Sequence, residues 1–305
     1  MPLAQFGNMS ENGERQWQGT TDGTSWMHKA LIGMMKVIPL WVFYLLMSFA
    51  VPFYMISNHK GYISNYHYFR RRQGYGPLRS FFHVCACHWM FGTVIMDRFA
   101  SYSGKKFRVD VPKMPMYEEL CAGKEGFVQL SSHIGNDELA GYELKAPKNM
   151  NALVFDGEGK TLTENRSRVL GVNNVRLVNI SEDMSHLVIL NNALADGEIV
   201  NIHGDRVFGS NRTVRCNILE SEVELPLGPF MLASMREVPV ISVFVMKVGL
   251  KRYRVYLFRP DEGLEGLGVR EKAEAMARAY AINISVMLLI YPDQWFNFYE
   301  FWKND

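Results

Sequence analysis

The sequence predicts an α/β fold: a mixed, largely parallel sheet flanked by helices, with an N-terminal membrane helix ahead of it. Three observations carry this. From residue 126 onward, short apolar runs alternate with segments of helical spacing, the pattern of strands joined by helical crossovers. Runs such as Val238-Pro239-Val240-Ile241-Ser242-Val243-Phe244-Val245 are apolar nearly throughout, as strands covered on both faces are. Residues 37–57, VIPLWVFYLLMSFAVPFYMIS, carry no charge over the roughly 20 residues a bilayer span requires.

At 305 residues the chain is long enough for one large α/β domain with an ample core. A formal net charge of +2 argues against wholesale nucleic-acid binding. An aromatic content of 13% and 18 Met suit contact with acyl chains as well as a soft core. The four cysteines, at 85, 87, 121 and 216, form no paired framework, which points to a reducing compartment. Cys85-Ala86-Cys87-His88 has no second half elsewhere and reads as small apolar residues of a helix rather than as a metal site.

Residues 1–24 are polar and read as a flexible tail without a signal-peptide pattern. Residues 25–60 form the anchor segment, with Trp41, Tyr44 and Tyr54 as interface-loving residues and Pro39 and Pro52 near its ends. Lys29 and Lys36 precede it. Lys60, Arg70, Arg71, Arg72 and Arg79 follow it, which places the main domain, 61–305, on the cytoplasmic side. Residues 59–76 are aromatic and basic, suited to an anionic membrane surface. Residues 77–103 read as a strongly apolar helix stopped by Gly104. Lys105, Lys106 and Arg108 then open a short strand and are either a docking point for an acidic carrier or a wet surface. Further strands are expected at 126–131, 151–156, 175–180, 198–203, 214–219, 238–246 and 252–258, and helices at 136–146, 159–170, 182–196, 228–236 and 269–290.

Three stretches carry chemistry. In the first, Phe127-Val128-Gln129-Leu130 leads through Ser131-Ser132-His133 to a helix for which Asn136 is a suitable N-cap, with Asp137 and Glu138 in its first turn. This sets an imidazole at a strand end with a carboxylate, Glu138, five residues later, the pairing a general base needs. In the second, Ile199-Val200-Asn201-Ile202-His203 ends in Gly204-Asp205-Arg206, at the side of the sheet where open α/β folds place ligands. Asp205 and Arg206 form either a structural pair or a substrate contact, the guanidinium being suited to a phosphate or carbonyl oxygen. In the third, two prolines around Gly228 (Leu225-Pro226-Leu227-Gly228-Pro229) fix a turn into a helix, whose backbone N–H groups could face an oxyanion.

His133-Ile134-Gly135-Asn136-Asp137-Glu138 resembles the HX4(D/E) box of the lysophospholipid acyltransferase superfamily. With Ser132 ahead of it, the box is similar to that of the bacterial lipid A late acyltransferases. Gly204-Asp205-Arg206, Leu225 to Phe230, Val238-Pro239-Val240 and Tyr291-Pro292-Asp293-Gln294-Trp295-Phe296 resemble that family's later blocks in order. Two positions depart from the pattern: Asp137 stands where a large aromatic is usual, and His203 precedes the Gly-Asp-Arg block.

The resemblance implies a glycerol-phosphate-acyltransferase-like fold on a bacterial inner membrane. It also implies transfer of a fatty acyl chain from acyl carrier protein or acyl-CoA to a hydroxyl or amine of a membrane lipid such as a lipid A precursor, with an amino-acid lipid or a polyene pigment as alternative acceptors. His133 would be the base, with Glu138 orienting it. Asn136, Asp205, Arg206 and Gly228 would bind substrate or shape the site, and no metal or organic cofactor would be needed. Two readings from other classes compete: a metal-dependent phosphoesterase using His133, Asp137, His203 and Asp205, and a non-catalytic lipid-binding protein.

Overall fold

The computed structural model describes residues 25–57, 59–144, 146–154, 174–181, 184–207 and 212–302. The expected tail at 1–24 and helix at 159–170 lie outside the described residues. Helix α1 (Ser25–Val37) ends just before Pro39, and α2 (Leu40–Ser57) takes up most of the uncharged run, with Pro52 inside it. Helix α3 (His59–His67) continues into a π-helical turn at Tyr68–Arg72. The long α4 (Pro77–Tyr102) begins with proline, whose missing N–H is no loss in a first turn.

Helix α2 lies against α4 in the opposite sense. Met47 packs on Gly92, where a Cβ would come within 3.0 Å of the Met47 sulfur. Tyr44 packs on Trp89, and Tyr54 packs on His88. One flank of α2 is therefore buried (Leu40, Phe43, Tyr44, Val51), while Trp41, Leu45, Leu46, Phe49, Phe53 and Ile56 are exposed.

The remainder alternates strand and helix: β1 (Arg108–Asp110), α5 (Met114–Ala122), β2 (Phe127–Ser131), α6 (Asp137–Glu143), β3 (Met150–Val154), β4 (Val175–Asn179), α7 (Ser185–Ala195), β5 (Ile199–His203), β6 (Thr213–Ile218), β7 (Ser221–Pro226), α8 (Gly228–Arg236), β8 (Val240–Gly249), β9 (Arg252–Phe258) and α9 (Val269–Ile290). The sheet order is β1-β9-β8-β2-β5-β3-β4, and every neighbouring pair is parallel except β8 with β9. The mixed, largely parallel sheet read from the sequence is the one found. Strands β6 and β7 form a separate antiparallel hairpin. In β7 and α5 the sequence pattern was too short to read: β7 exposes Glu222 beside buried Val223, and α5 spans only 9 residues.

Burial follows the two-residue period of the strands. Val128, Leu130, Val200, Ile202, Val240 and Phe244 face α7, α8 and α9, while Phe127, Ile199, Ile241, Val243 and Val245 face residues of α1, α2, α4 and α5. Among the described residues α9 is the single helix long and apolar enough by itself to cross a membrane, yet it packs on the sheet through Ala273, Met276, Ala277, Tyr280, Ile284 and Met287. The Cys85–His88 run lies within α4. Cys87 accepts a hydrogen bond from Asn65 there, and burial pushes its thiol up to about 12.

On the α2 side of the sheet, Asp97 of α4 and Lys247 of β8 form a fully buried ion pair. The hydroxyls of Tyr44 and Tyr253 also donate to Asp97. A buried carboxylate is tolerated only with such partners. Lys247→Met should therefore cost about 3–5 kcal/mol, because it strands the Asp97 charge. Denaturant unfolding checks this, and a loss below about 1 kcal/mol would show the pair contributes little.

Candidate active site

The site is built by two strand ends. Strands β2 and β5 are parallel and in register, with Ser131 opposite His203. His133 lies two residues beyond the end of β2, and Asp205 lies two residues beyond the end of β5. The equal offsets bring them together. His133 Nδ1 is 3.0 Å and 3.1 Å from the two Asp205 oxygens, and the His133 backbone N–H donates to Asp205 Oδ2 at 2.8 Å. With its Nδ1–H given to Asp205, the His133 ring carries its lone pair on Nε2.

The carboxylate hydrogen-bonded to the His133 ring is thus that of Asp205, and this corrects the expectation that Glu138 holds it. Glu138 takes the Tyr102 hydroxyl and lies 3.8 Å from Arg98. An offset of five residues through the tight Gly135 turn carries Glu138 into the first turn of α6, toward α4, and residue spacing alone does not reveal that direction. Asp205, expected as a substrate contact, is buried beneath the imidazole.

A second histidine–carboxylate pair stands beside the first. His203 Nε2 is 2.8 Å from Asp137 Oδ2, and Arg98 donates to Asp137 Oδ1 at 2.6 Å. The His133 and His203 ring centroids are 4.7 Å apart. Arg98 spans three consecutive residues, since its Nε also donates to Asn136 Oδ1 at 3.2 Å. Asn136 donates in turn to the Tyr253 hydroxyl at 3.3 Å. Its fully buried amide is a brace under the loop, in place of the substrate contact expected.

The loop itself is held by the C-terminal segment. Ile134 pairs with Trp295, Gly135 N–H donates to Gln294 O at 2.8 Å, and Phe296 N–H donates to His133 O at 3.1 Å. Gly135 has φ +73° and packs so closely on β8 that a Cβ would lie 2.2 Å from Val245 O, so no other residue fits there. Arg206 donates to Phe296 O at 3.0 Å and lies over the Tyr299 ring, which makes it a clamp on this segment. Gly228 opens α8 in open space, and no described hydrogen bond ties it to the His133–Asp205 pair. Ser131 Oγ donates to Asn201 Oδ1 at 2.6 Å.

The electrostatics separate the two histidines. Burial and the Arg206 charge push His133 down to about 4, against the pull of Asp205. His203 moves the other way: burial opposes its charge, but Asp137 and Asp205 outweigh it and raise it above the ordinary value. Burial favours the neutral acid in Asp137 and Asp205 as well, yet Arg98 with His203, and His133 with Arg206, hold them well below the usual carboxylate range. The four residues considered as a metal set are engaged as two hydrogen-bonded pairs, and among the described residues no group of three or more His, Cys, Asp or Glu converges as a metal site.

Sequence reasoning found His133 and its strand end. The role of Asp205, the His203–Asp137 pair and Arg98 escaped it. The signal that could have found Asp205 was its offset, two residues past a strand just as His133 is.

No family model and no curated protein matches this chain. Among solved structures it is similar to the 1-acyl-sn-glycerophosphate (LPA) acyltransferase PlsC from Thermotoga maritima, with 9% identity and a TM-score of 0.36, over 81% of this chain and 98% of that one. A likeness of that size carries no functional argument, which therefore rests on the geometry.

His133 should stay neutral down to about pH 4. Asp205→Asn, which removes the charge that supports the imidazolium, should lower its titration further. Side-chain NMR of labelled histidine reads both, and an ordinary value near 6.5 would contradict them.

Proposed function

We propose that the protein is a membrane-associated acyltransferase. It moves a fatty acyl chain from acyl carrier protein or acyl-CoA to a hydroxyl or amine of a lipid acceptor, a lipid A precursor being the first candidate. The observation that carries this reading is the His133 ring, partly exposed at a strand end and held at Nδ1 by a buried carboxylate. Such a ring presents a basic Nε2 to a bound hydroxyl.

In this mechanism the acceptor's O–H gives its proton to His133 Nε2 as the oxygen attacks the thioester carbonyl. Asp205 stabilises the imidazolium that forms. When the tetrahedral intermediate collapses, the thiolate leaves and takes the proton from His133. No enzyme nucleophile is required. Of the two serines before His133, Ser131 has its hydroxyl engaged with Asn201 and Ser132 is buried.

The surface supports a lipid partner. The exposed residues of α2 and the first turns of α4 (Leu78, Phe81, Phe82) make an apolar face, with Lys36, Lys60 and Arg79 along the same stretch of chain. Because α2 is anchored by Tyr44 to the core of the domain, we place this face in the outer layer of a bacterial inner membrane's cytoplasmic leaflet, with the sheet outside the bilayer.

Mass spectrometry of lipid extracts from cells making wild-type protein or His133→Ala tests the chemistry. One species should lose the mass of an acyl chain in the variant, and its head group names the acceptor; unchanged lipids would remove the reading in favour of hydrolysis or binding. For the surface, Phe49→Glu with Phe53→Glu should release the protein from vesicles of phosphatidylethanolamine and phosphatidylglycerol in a flotation assay. Undiminished binding would sink the assignment of that face.

A further inference from the structure

The reaction as described uses one histidine and leaves its neighbour without a part. Yet His203 is placed as carefully as His133. It is the last residue of β5, its ring is held at Nε2 by Asp137, and Asp137 is held by Arg98 from α4. Its side chain is 30% exposed against 29% for His133, so both rings, with centroids 4.7 Å apart, are partly open to solvent. Among the described residues Nδ1 of His203 has no hydrogen-bond partner.

We propose that His203, as an imidazolium, is a further catalytic residue: its Nε2–H donates to Asp137 while its Nδ1–H hydrogen-bonds the thioester carbonyl oxygen as that oxygen becomes an oxyanion. This inference rests on the acyl-transfer reading above.

Three arguments support it. The first is position. In the tetrahedral intermediate the attacking oxygen at His133 Nε2 and the former carbonyl oxygen are bonded to one carbon, and a second imidazole with its centroid 4.7 Å from that of His133 stands beside them. Of the other oxyanion donors considered, the start of α8 at Gly228 has no hydrogen bond to the pair among the described residues, and Arg206, whose charge reaches both rings, gives Nη2 to the Phe296 carbonyl. The second is charge. The groups around His203 are Asp137 from α6, Arg98 from α4 behind it, His133 from the β2–α6 loop, and Asp205 and Arg206 from the chain after β5. Asp137 and Asp205 favour the cation, and burial and Arg206 oppose it. Two adjacent imidazoles avoid being charged together, and here the base is the neutral one. A neutral base beside a fixed cation is the division of labour that acid–base sites reach by opposite environments.

The third is balance. The acceptor proton moves to His133, the carbonyl π pair moves to oxygen, and the C–S bond breaks as that pair returns. The sulfur then takes the His133 proton. His203 keeps its own proton throughout and supplies only a preorganised hydrogen bond, the kind of donor whose loss costs about 10²–10³ in kcat.

The test is thiol release from palmitoyl-CoA and from palmitoyl carrier protein by the full chain on phosphatidylethanolamine–phosphatidylglycerol vesicles that also carry a lipid A precursor as acceptor, across pH. Wild-type kcat should fall at high pH, as His203 loses its proton. His203→Gln should lower kcat about 10²–10³-fold with KM changed less than about threefold, and should abolish that limb. Asp137→Asn keeps the ring and should move the limb to lower pH. If His203→Gln keeps kcat within about threefold, or keeps the limb, while His133→Ala is inactive, the inference is overturned and acyl transfer stands. No release by wild type from either donor overturns both. Histidine NMR gives a readout free of turnover: a His203 that is neutral at pH 7 overturns the proposal.

Discussion

The hydrogen bond from His133 to Asp205 depends on the register of β2 and β5. These strands are neighbours in the sheet although the bonded residues are 72 positions apart in sequence. A one-residue slip of either strand would turn its side chains to the opposite face and part the pair. The sheet prevents this slip by its burial pattern: every residue of β2 is buried, with Phe127 facing one core and Val128 the other. The cost of burying Asp205 is met by the His133 backbone N–H and ring together. Site and core thus share one constraint.

Around that pair, several elements fix the loop that carries it. From α9, the Tyr280 hydroxyl donates to Ser131 O at 2.6 Å. From β8, Val245 O receives the Asn136 N–H at 2.8 Å. From the C-terminal segment, Gln294 spans both: its side chain hydrogen-bonds the backbone of Lys247 at 2.9 and 2.8 Å, while its carbonyl takes the Gly135 N–H. A continuous polar path also runs from the apolar helix to the chemistry. Tyr44 of α2 meets Asp97, Asp97 meets Tyr253, Tyr253 meets Asn136, and Arg98 joins Asn136 to Asp137 and so to His203. Helix α2 is thereby part of the domain's framework as well as an apolar surface.

Much of the fold was legible in the sequence because its signals are local. Strands β5 and β9 and helices α8 and α9 fall at or within a residue of the expected limits. Their apolar periods are long, and glycine or proline marks their ends. His133 was legible for the same reason, being at a strand end before a glycine turn. Its partner was not. Glu138 is nearer in sequence, but the chain direction after Gly135 sends it to Tyr102, and only tertiary pairing of β2 with β5 brings in Asp205. Asp137 and His203 looked unrelated as sequence positions. In the structure they are hydrogen-bonded to each other. Arg98 lies near the C-terminal end of the long α4, where nothing local indicates that it braces three residues of the site.

Asp205, and not Glu138, is hydrogen-bonded to the ring proposed as the base. The most direct measurement is the turnover of acyl thioester by Asp205→Asn and Glu138→Gln side by side, with both proteins shown to be folded. The account predicts a loss of about 10²-fold or more for Asp205→Asn and less than about tenfold for Glu138→Gln, which keeps its hydrogen bond to Tyr102. The reverse order would contradict it and return the role to Glu138.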